Sequence, residues 1–574
     1  MKTKLVNENF KQDYLKNLLI SRGITNIKEY IEPTVENLND PINLDNCKGG
    51  AELLLENIRK NKKIAIVVDC DCDGYTSASI IWSYIYEISE GQLEADYYIH
   101  EGKQHGLSDC IDIFLEKDYD LIICPDSSSN DYEYHERLKE NNTKILVLDH
   151  HLVNNKLFSD NAIIINNQLS DNYTNKDLTG AGVVFQFCRY LDRITNNNYA
   201  PKYIDLAALG ICGDMGSIIN LENRYIMFTG FNNIINDFFK SIIEKQSYSM
   251  NYNINSISVA FYIVPLINAM IRVGTLEEKA NLFNAFIKPN EKIESKKRGA
   301  KGQLEFRKIE SVRECVNAKA KQTRLLEKIE TEIEAKIYKE DLLSNKILII
   351  QLNDEEDFPS ELNGLLAMRM ASKFKKPTMV GRSNGKELKG SIRGLNDSEL
   401  DDFRSFLLSS GLFGYVEGHA QASGYSIQNS KIDNLLTYAN EKLKDFNFNE
   451  GVYCVNFQRL ALSEDLEKLI LELGGCQNYW GTNCMEPVIE VKDINLSKKD
   501  LKIIGNNKDT LKFEKNSITY VKFKAKKIID QLNDYGENLK INLIGTANIN
   551  EWGGNSIPQI IVNDLEIEED LYGF

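Results

Sequence analysis

Short, wholly apolar runs alternate with amphipathic stretches over the first third of the chain. Residues 64–68 (IAIVV), 121–124 (LIIC) and 144–148 (KILVL) read as buried strands, and 76–90, 131–140, 181–194 and 203–212 carry apolar residues at helical spacing. This alternation predicts a parallel sheet with crossover helices. Residues 236–340 are mostly helical and increasingly charged, and 301–340, rich in Glu/Lys pairs at helical spacing, is expected to be a long connector helix too polar for a core. A second α/β unit is expected from 346–351 (KILIIQ), with a helix at 361–374, strands near 377–381 and 388–393, and the Gly-rich GYVEGHAQASG at 414–424. From about 485 the pattern changes to short alternating strands (485–491, 511–513, 517–525, 539–547, 557–563) separated by Asn, Gly and Asp, the spacing of a small β-barrel.

Composition narrows the class. With 574 residues, 42% hydrophobic and 26% charged, and only 10 prolines, the chain is neither a single small module nor a disordered or fibrous protein. The net charge of −16 argues against a nucleic-acid partner only if it is spread evenly. It is not: residues 296–328 hold 11 basic and 4 acidic side chains, and 498–527 hold 10 basic and 3 acidic. A basic track on an otherwise acidic molecule, with strongly salt-dependent binding, is therefore expected. No uninterrupted apolar run approaches the ~20 residues of a membrane span, and the first residues lack the apolar stretch of a signal peptide. A cytoplasmic protein without a membrane partner is expected, and the high Asn, Lys and Ile usage fits a low-GC bacterium or its phage. The 11 cysteines form no CxxC pair, which reads as reduced thiols and no zinc site.

The candidate chemistry sits at the strand ends. In VVDCDCDGYTSAS, Asp69, Asp71 and Asp73 follow a strand at a spacing of two, so their carboxylates share one side while the chain stays extended. Three like charges so close need a cation or proton to offset them; the alternative is a solvated acidic turn. The next strand ends in Cys124-Pro125-Asp126 and the third in Asp149-His150-His151. An apolar helix, LAALGICGDMGS, ends at Asp214, which alone would read as a cap. Four or five carboxylates with one or two imidazoles and no thiolate describe a site for two Mn²⁺ or Mg²⁺ ions. Such ions about 3.5–4 Å apart promote in-line phosphoryl displacement.

DxDxDG, the later strand-end Asp, DHH, GAGVVFQF, ALGICGDM and ENR together resemble the DHH phosphoesterase superfamily, and within it the RecJ single-strand-specific exonucleases, over roughly residues 50–570. The resemblance implies a parallel-sheet DHH domain with its N-terminal region (1–235), a helical connector (236–340), a smaller α/β DHHA1 substrate-binding domain (341–445) and an OB-type β-barrel (446–574). It implies that Asp71, Asp73, Asp126, His150 and Asp214 hold two manganese or magnesium ions with Asp126 between them. Asp69 and Asp149 match motif letters that ligate or support, and His151 would contact the scissile phosphate.

KGSIRG and VEGHAQASG resemble the DHHA1 motifs and imply that Lys389, Ser391, Arg393, Gly418 and His419 contact the 5′ end of a nucleic acid. Ser391 and Arg393 offer a hydroxyl and a guanidinium to phosphate. The family's PRxNAxGRxG reads PLINAMIRVG here, keeping Asn268 and Arg272 but replacing its first Arg by Leu266 and an inner Gly by Ile271. A loop that usually carries an Arg reads HEGKQHGLS, where His100, Lys103 or His105 stands in. In the barrel, SITYVKFKAKK is expected to place Tyr520, Lys522, Lys524 and Lys526 on one strand face for base stacking and backbone tracking. An ordinary solvated lysine face is the alternative.

The function expected is a metal-dependent 5′→3′ exonuclease on single-stranded DNA, or RNA, acting in repair, recombination or phage DNA metabolism. It is expected to be a monomer that a helicase or single-strand-binding protein assists. The competing readings are a phosphodiesterase on short oligonucleotides or cyclic dinucleotides, and a non-catalytic DNA-binding replication scaffold.

Overall fold

The computed structural model describes residues 1–569 apart from 103, 154–156, 301, 353–357, 396–397, 449–451 and 553–554. Two compact units form: Glu32–Glu340 with Asn353–Leu366, and Met1–Ile31 with Asp341–Leu352 and Ala367–Phe574.

The first unit is built on a five-stranded parallel sheet in the order Asp96–Ile99, Ile64–Val68, Leu121–Pro125, Lys144–Asp149, Ala162–Asn166. The three apolar runs are its central strands; the two edge strands are additions. Ile64–Val68 and Leu121–Pro125 are buried at every position, as strands covered on both faces must be. The chain winds outward from Ile64–Val68 to one edge and then returns to Leu121–Pro125, so the strand order reverses between them. A ligand crevice opens at such a reversal, outside the carboxyl ends of the strands. Helix Cys72–Ile88 begins four residues earlier than the apolar pattern indicates, because Asp71 caps it by accepting Gly74 N at 3.0 Å.

The long helix runs Arg307–Lys339 but is not a bare connector. Ser311, Cys315, Ala318, Gln322, Leu326, Ile329, Ile333 and Ile337 form a buried stripe, and the helix packs on Asp237–Gln246, Val264–Val273 and Leu276–Ile287. Its region's cations are partly neutralised: Lys296 lies 3.1 Å from Glu277 and 3.2 Å from Glu314, Arg307 is 2.7 Å from Glu291, and Arg313 pairs with Glu305 and Glu310. The basic track expected over 296–328 is correspondingly weaker. Among the described residues one helical stretch, Ser256–Val273, has the length and mean hydropathy (1.7) to cross a membrane. Since 61% of it is buried inside the protein, it is a core helix.

The second unit holds a five-stranded mixed sheet ordered Phe413–His419, Ala422–Gln428, Glu387–Arg393, Thr378–Ser383, Leu348–Leu352. It also holds a seven-stranded sheet ordered Phe457–Leu460, Val488–Ser497, Asn538–Trp552, Asn555–Glu569, Ile518–Lys522, Thr510–Lys515, Lys502–Ile504. Bulges between Val491 and Ile494 and between Ile544 and Gly545 bend its central strands. The N-terminal residues belong here, correcting the expectation that 1–235 forms one domain: Lys2–Leu5 pairs in parallel with Val452–Val455, and Tyr30 donates to the Tyr479 carbonyl at 2.6 Å.

Candidate metal centre and substrate-contact residues

Four segments of the first unit converge at the crevice. Asp69, Asp71 and Asp73 leave Ile64–Val68 as the chain turns into the helix, and Gly74 makes that turn tight: an added Cβ would stand 2.6 Å from the Asp69 carbonyl oxygen. Asp126 follows the neighbouring strand in a left-handed conformation (φ 62) that aims its buried carboxylate into the crevice. Asp149, His150 and His151 follow the third strand, and Asp214 caps the end of helix Ile204–Gly213.

Their ligand atoms form overlapping clusters: Asp69, Asp71 and Asp126; Asp73, His150 and Asp214; and Asp126, Asp149, His150 and His151. Asp126 links them. Its Oδ1 lies 3.1 Å from His150 Nε2, which is also 3.6 Å from Asp214 Oδ2 and 4.0 Å from Asp73 Oδ2. Buried oxygens Oδ1 of Asp69 and Asp126 have no hydrogen-bond partner. Burial, then the charge of Asp71, pushes the Asp73 carboxyl up to about 7. Burial and the charges of Asp73 and Asp71 push Asp214 up to about 8, and burial with the neighbouring aspartates drives Asp126 well above the carboxylate range. These acids hold their charge poorly without a cation between them. Oxygen-rich donors with one imidazole and no required thiolate fit hard divalent ions, Mn²⁺ or Mg²⁺, and two clusters sharing Asp126 fit a pair.

The side chains beside the clusters are themselves anchored. Asp73 accepts Thr179 Oγ1 at 3.0 Å, Gly180 N at 2.7 Å and Ala181 N at 3.0 Å, so it sits on the N-terminus of helix Gly180–Thr195. Asp149 Oδ1 accepts His150 N at 2.7 Å and His151 N at 3.2 Å and faces His151 Nδ1 at 2.8 Å, while Oδ2 accepts Ser129 N at 3.0 Å. Burial works against the charged forms of both partners, but the hydrogen bond and mutual attraction win: Asp149 falls below its usual range and His151 rises to about 10. Asn166 Nδ2 donates to the His151 carbonyl at 3.0 Å.

Of the loop alternatives, His105 reaches the site, with Nδ1 2.7 Å from Asp69 Oδ2 and its ring 6.4 Å from that of His151. His100 is buried against Asp109 instead, and Lys103 lies outside the described residues. The roles of Thr179, Gly180, Ala181 and Asn166 were not read from the sequence. The GAG opening helix Gly180–Thr195 was the available signal. Asn268 and Arg272 lie one helical turn apart on Val264–Val273; Asn268 Oδ1 is buried without a partner, and Arg272 feels the charge of Asp71.

In the second unit, Lys389, Ser391 and Arg393 alternate onto one face of strand Glu387–Arg393. Register places Ser391 opposite Gly424 and Arg393 opposite Ala422, with Glu417 and His419 facing the same two small residues from the other side. The structure thus brings Ser391, Arg393 and His419 around a shallow floor, with Gly418 at φ 130 beside them. Lys389 Nζ is 3.1 Å from Glu387. The expected stripe on 517–525 is not formed. Tyr520 is 1% exposed and stacks on Phe513 at 4.9 Å, so it is a core residue and not a base-stacking platform. The strand ends at Lys522, whose Nζ donates to the Asn563 carbonyl at 2.7 Å, and Lys524 sits in a turn at φ 52. The exposed aromatic beside the lysines is Phe523, at 55% exposure.

Comparison with known proteins agrees with this geometry. Residues 63–211 match the DHH family, N-terminal domain, and residues 460–564 match the RecJ OB domain. YorK of the Bacillus subtilis SPbeta prophage, which carries the name single-strand DNA-specific exonuclease, is 36% identical over 99% of this chain and 98% of its own length. The RecJ of Bacillus subtilis is 22% identical over 96% of this chain and 68% of its own. The crystal structure of Thermus thermophilus RecJ with Mn²⁺ superposes with a TM-score of 0.73 at 20% identity, covering 100% of this chain and 79% of that one. The chain belongs to the RecJ-type single-strand-specific exonucleases of the DHH phosphoesterase superfamily.

Proposed function

We propose that the protein is a metal-dependent exonuclease that hydrolyses phosphodiester bonds of single-stranded DNA from the 5′ end. The observation that carries this reading is the convergence of overlapping carboxylate and carboxylate-imidazole clusters, joined through Asp126 and His150, at the reversal of strand order. Asp71, Asp73, Asp126, His150 and Asp214, with Asp69, would hold two Mn²⁺ or Mg²⁺ ions. When bound, such ions activate water and neutralise charge on the phosphoryl group.

The chain's own groups do the rest. Asp149 keeps the proton on His151 Nδ1, which leaves the imidazolium Nε2–H to donate to a scissile phosphate oxygen as its charge grows. The amides at Gly180 and Ala181 fix Asp73 so that its carboxylate needs no reorganisation. Arg272 and Asn268 contact the phosphate path beside Asp71. Ser391, Arg393, Gly418 and His419, with Lys389, grip the 5′ terminal phosphate. Lys522 is largely committed to the Asn563 carbonyl, so the trailing strand is held by Phe523 and Lys524 instead.

Single strands labelled at either end test the proposal. Label should leave the 5′ end first, only with Mn²⁺ or Mg²⁺, and Asp126→Ala should reduce release to background. Activity surviving in Asp126→Ala would overturn the metal assignment, and early release from the 3′ end would overturn the direction.

A further inference from the structure

The helix that carries Asn268 and Arg272 continues backward as Ser256–Ser258 and a π-turn, Val259–Ile263, in which Val264 N bonds to the Val259 carbonyl. Pro265 has no N–H to offer the Phe261 carbonyl, and the wide turn is how the helix absorbs that loss. Most of this helix is core, yet Ile257, Phe261, Pro265, Asn268 and Arg272, spaced by four, four, three and four residues, all keep surface in contact with solvent. They form one face. Its far end is aromatic: Phe261 is 73% exposed and Tyr262 39%, with ring centroids 6.2 Å apart. Its near end is cationic: Arg272 feels Asp71, and Lys321 Nζ lies 2.9 Å from the Val273 carbonyl.

Two large rings stand exposed side by side on a helix that is 61% buried. The Arg272 end lies within the electrostatic reach of Asp71, and the face runs from guanidinium to aromatic, which matches a strand that lays its phosphate near the reaction and its bases farther out. From Arg272 to Phe261 the helix rises about 16 Å, a span that a stacked strand at about 3.4 Å per nucleotide covers in roughly five steps. We propose that Phe261, seconded by Tyr262, is a stacking platform for a nucleobase of the bound single strand a few nucleotides from the scissile bond. This rests on the exonuclease reading for the identity of the strand, but it concerns binding and not hydrolysis. It would make the enzyme prefer strands long enough to reach Phe261.

Binding of a fluorescent thymidine 20-mer and of an abasic 20-mer with the same phosphates, to the full chain with Ca²⁺ in place of Mn²⁺, tests it. Phe261→Ala should weaken the thymidine strand about tenfold, the effect of losing one stacked base, and leave the abasic strand unchanged. Phe261→Trp should restore the thymidine affinity. No change on either strand, as for a face that docks protein, or equal weakening of both, as for a structural role, would overturn the proposal. A wild type that binds in this pattern but hydrolyses nothing with Mn²⁺ would sink the exonuclease reading and leave the platform standing.

Discussion

Gly180→Ala adds one methyl at the point where helix Gly180–Thr195 abuts the metal centre. The methyl would stand 2.4 Å from Asp126 Oδ1 and 2.6 Å from Asp126 Cβ, whereas carbon contacts settle at about 3.5 Å. Something must therefore move by about 1 Å. Asp126 yields badly, because its backbone is held in the left-handed region with its N–H on the Leu148 carbonyl at 2.8 Å. The helix start yields badly too, because Gly180 N and Ala181 N are both bonded to Asp73. The helix itself has no objection to alanine, since Gly180 is not in the left-handed region. The damage should thus appear at the site and not in global stability. A misplacement of about 1 Å in a catalytic constellation costs about 100-fold in rate, and disturbing the surroundings of metal ligands costs about 10–100-fold in affinity. Mn²⁺ titration by calorimetry and initial rates on single-stranded DNA measure the two effects. Gly49→Ala is the control, because its methyl would meet only Ile163 Cδ1 at 3.7 Å. A Gly180→Ala enzyme with wild-type Mn²⁺ affinity and rate would refute the reasoning.

Two further outcomes are expected. His135 is 1% exposed, its Nε2 has no partner, and burial pushes it down to about 4 from the ordinary 6.5. The unfolded chain therefore binds this proton first, so the stability contribution is complete above pH 6.5 and is lost as pH falls toward 4, by about 3 kcal/mol. His135→Gln should remove that part of the acid sensitivity in urea unfolding followed from pH 7 to 4; an unchanged slope would count against it. In the barrel, Tyr520→Ala should cost about 3–5 kcal/mol of stability and spare single-strand affinity per folded molecule. Phe523→Ala should do the reverse, and the opposite assignment in melting and binding curves would restore Tyr520 as a contact.

Most of the metal centre was legible because its chemistry follows strands directly. Asp69 to Asp73, Asp126 and Asp149 to His151 each sit within a few residues of an apolar run, and the periodicity that identifies the strand also identifies its end. What fixes those side chains was not legible. Thr179, Gly180 and Ala181 bond Asp73 from more than 100 residues away along the chain, and no local pattern announces such a contact. The N-terminal strand was missed for the same reason, since Lys2–Leu5 finds its partner at Val452–Val455 only through the tertiary fold. The edge strand Asp96–Ile99 (DYYI) was missed because an edge needs no apolar run.

The misreading at Tyr520 has a different cause. Alternation assigns faces only while the chain stays extended, and here the strand stops at Lys522. Alternation also leaves open which face is inward: Tyr520 points into the core against Phe513, so Phe523, three positions on, falls outward, and Lys524 at φ 52 ends the extended run. The helix at Phe261 breaks its period in a similar way, through a proline and a π-turn, and again an aromatic ring is left in solvent. Burying either ring would release about 1.5–3 kcal/mol that the fold forgoes. Both exposed rings lie where a regular element is interrupted, and in a single-strand-binding protein base stacking would recover that free energy when the strand arrives.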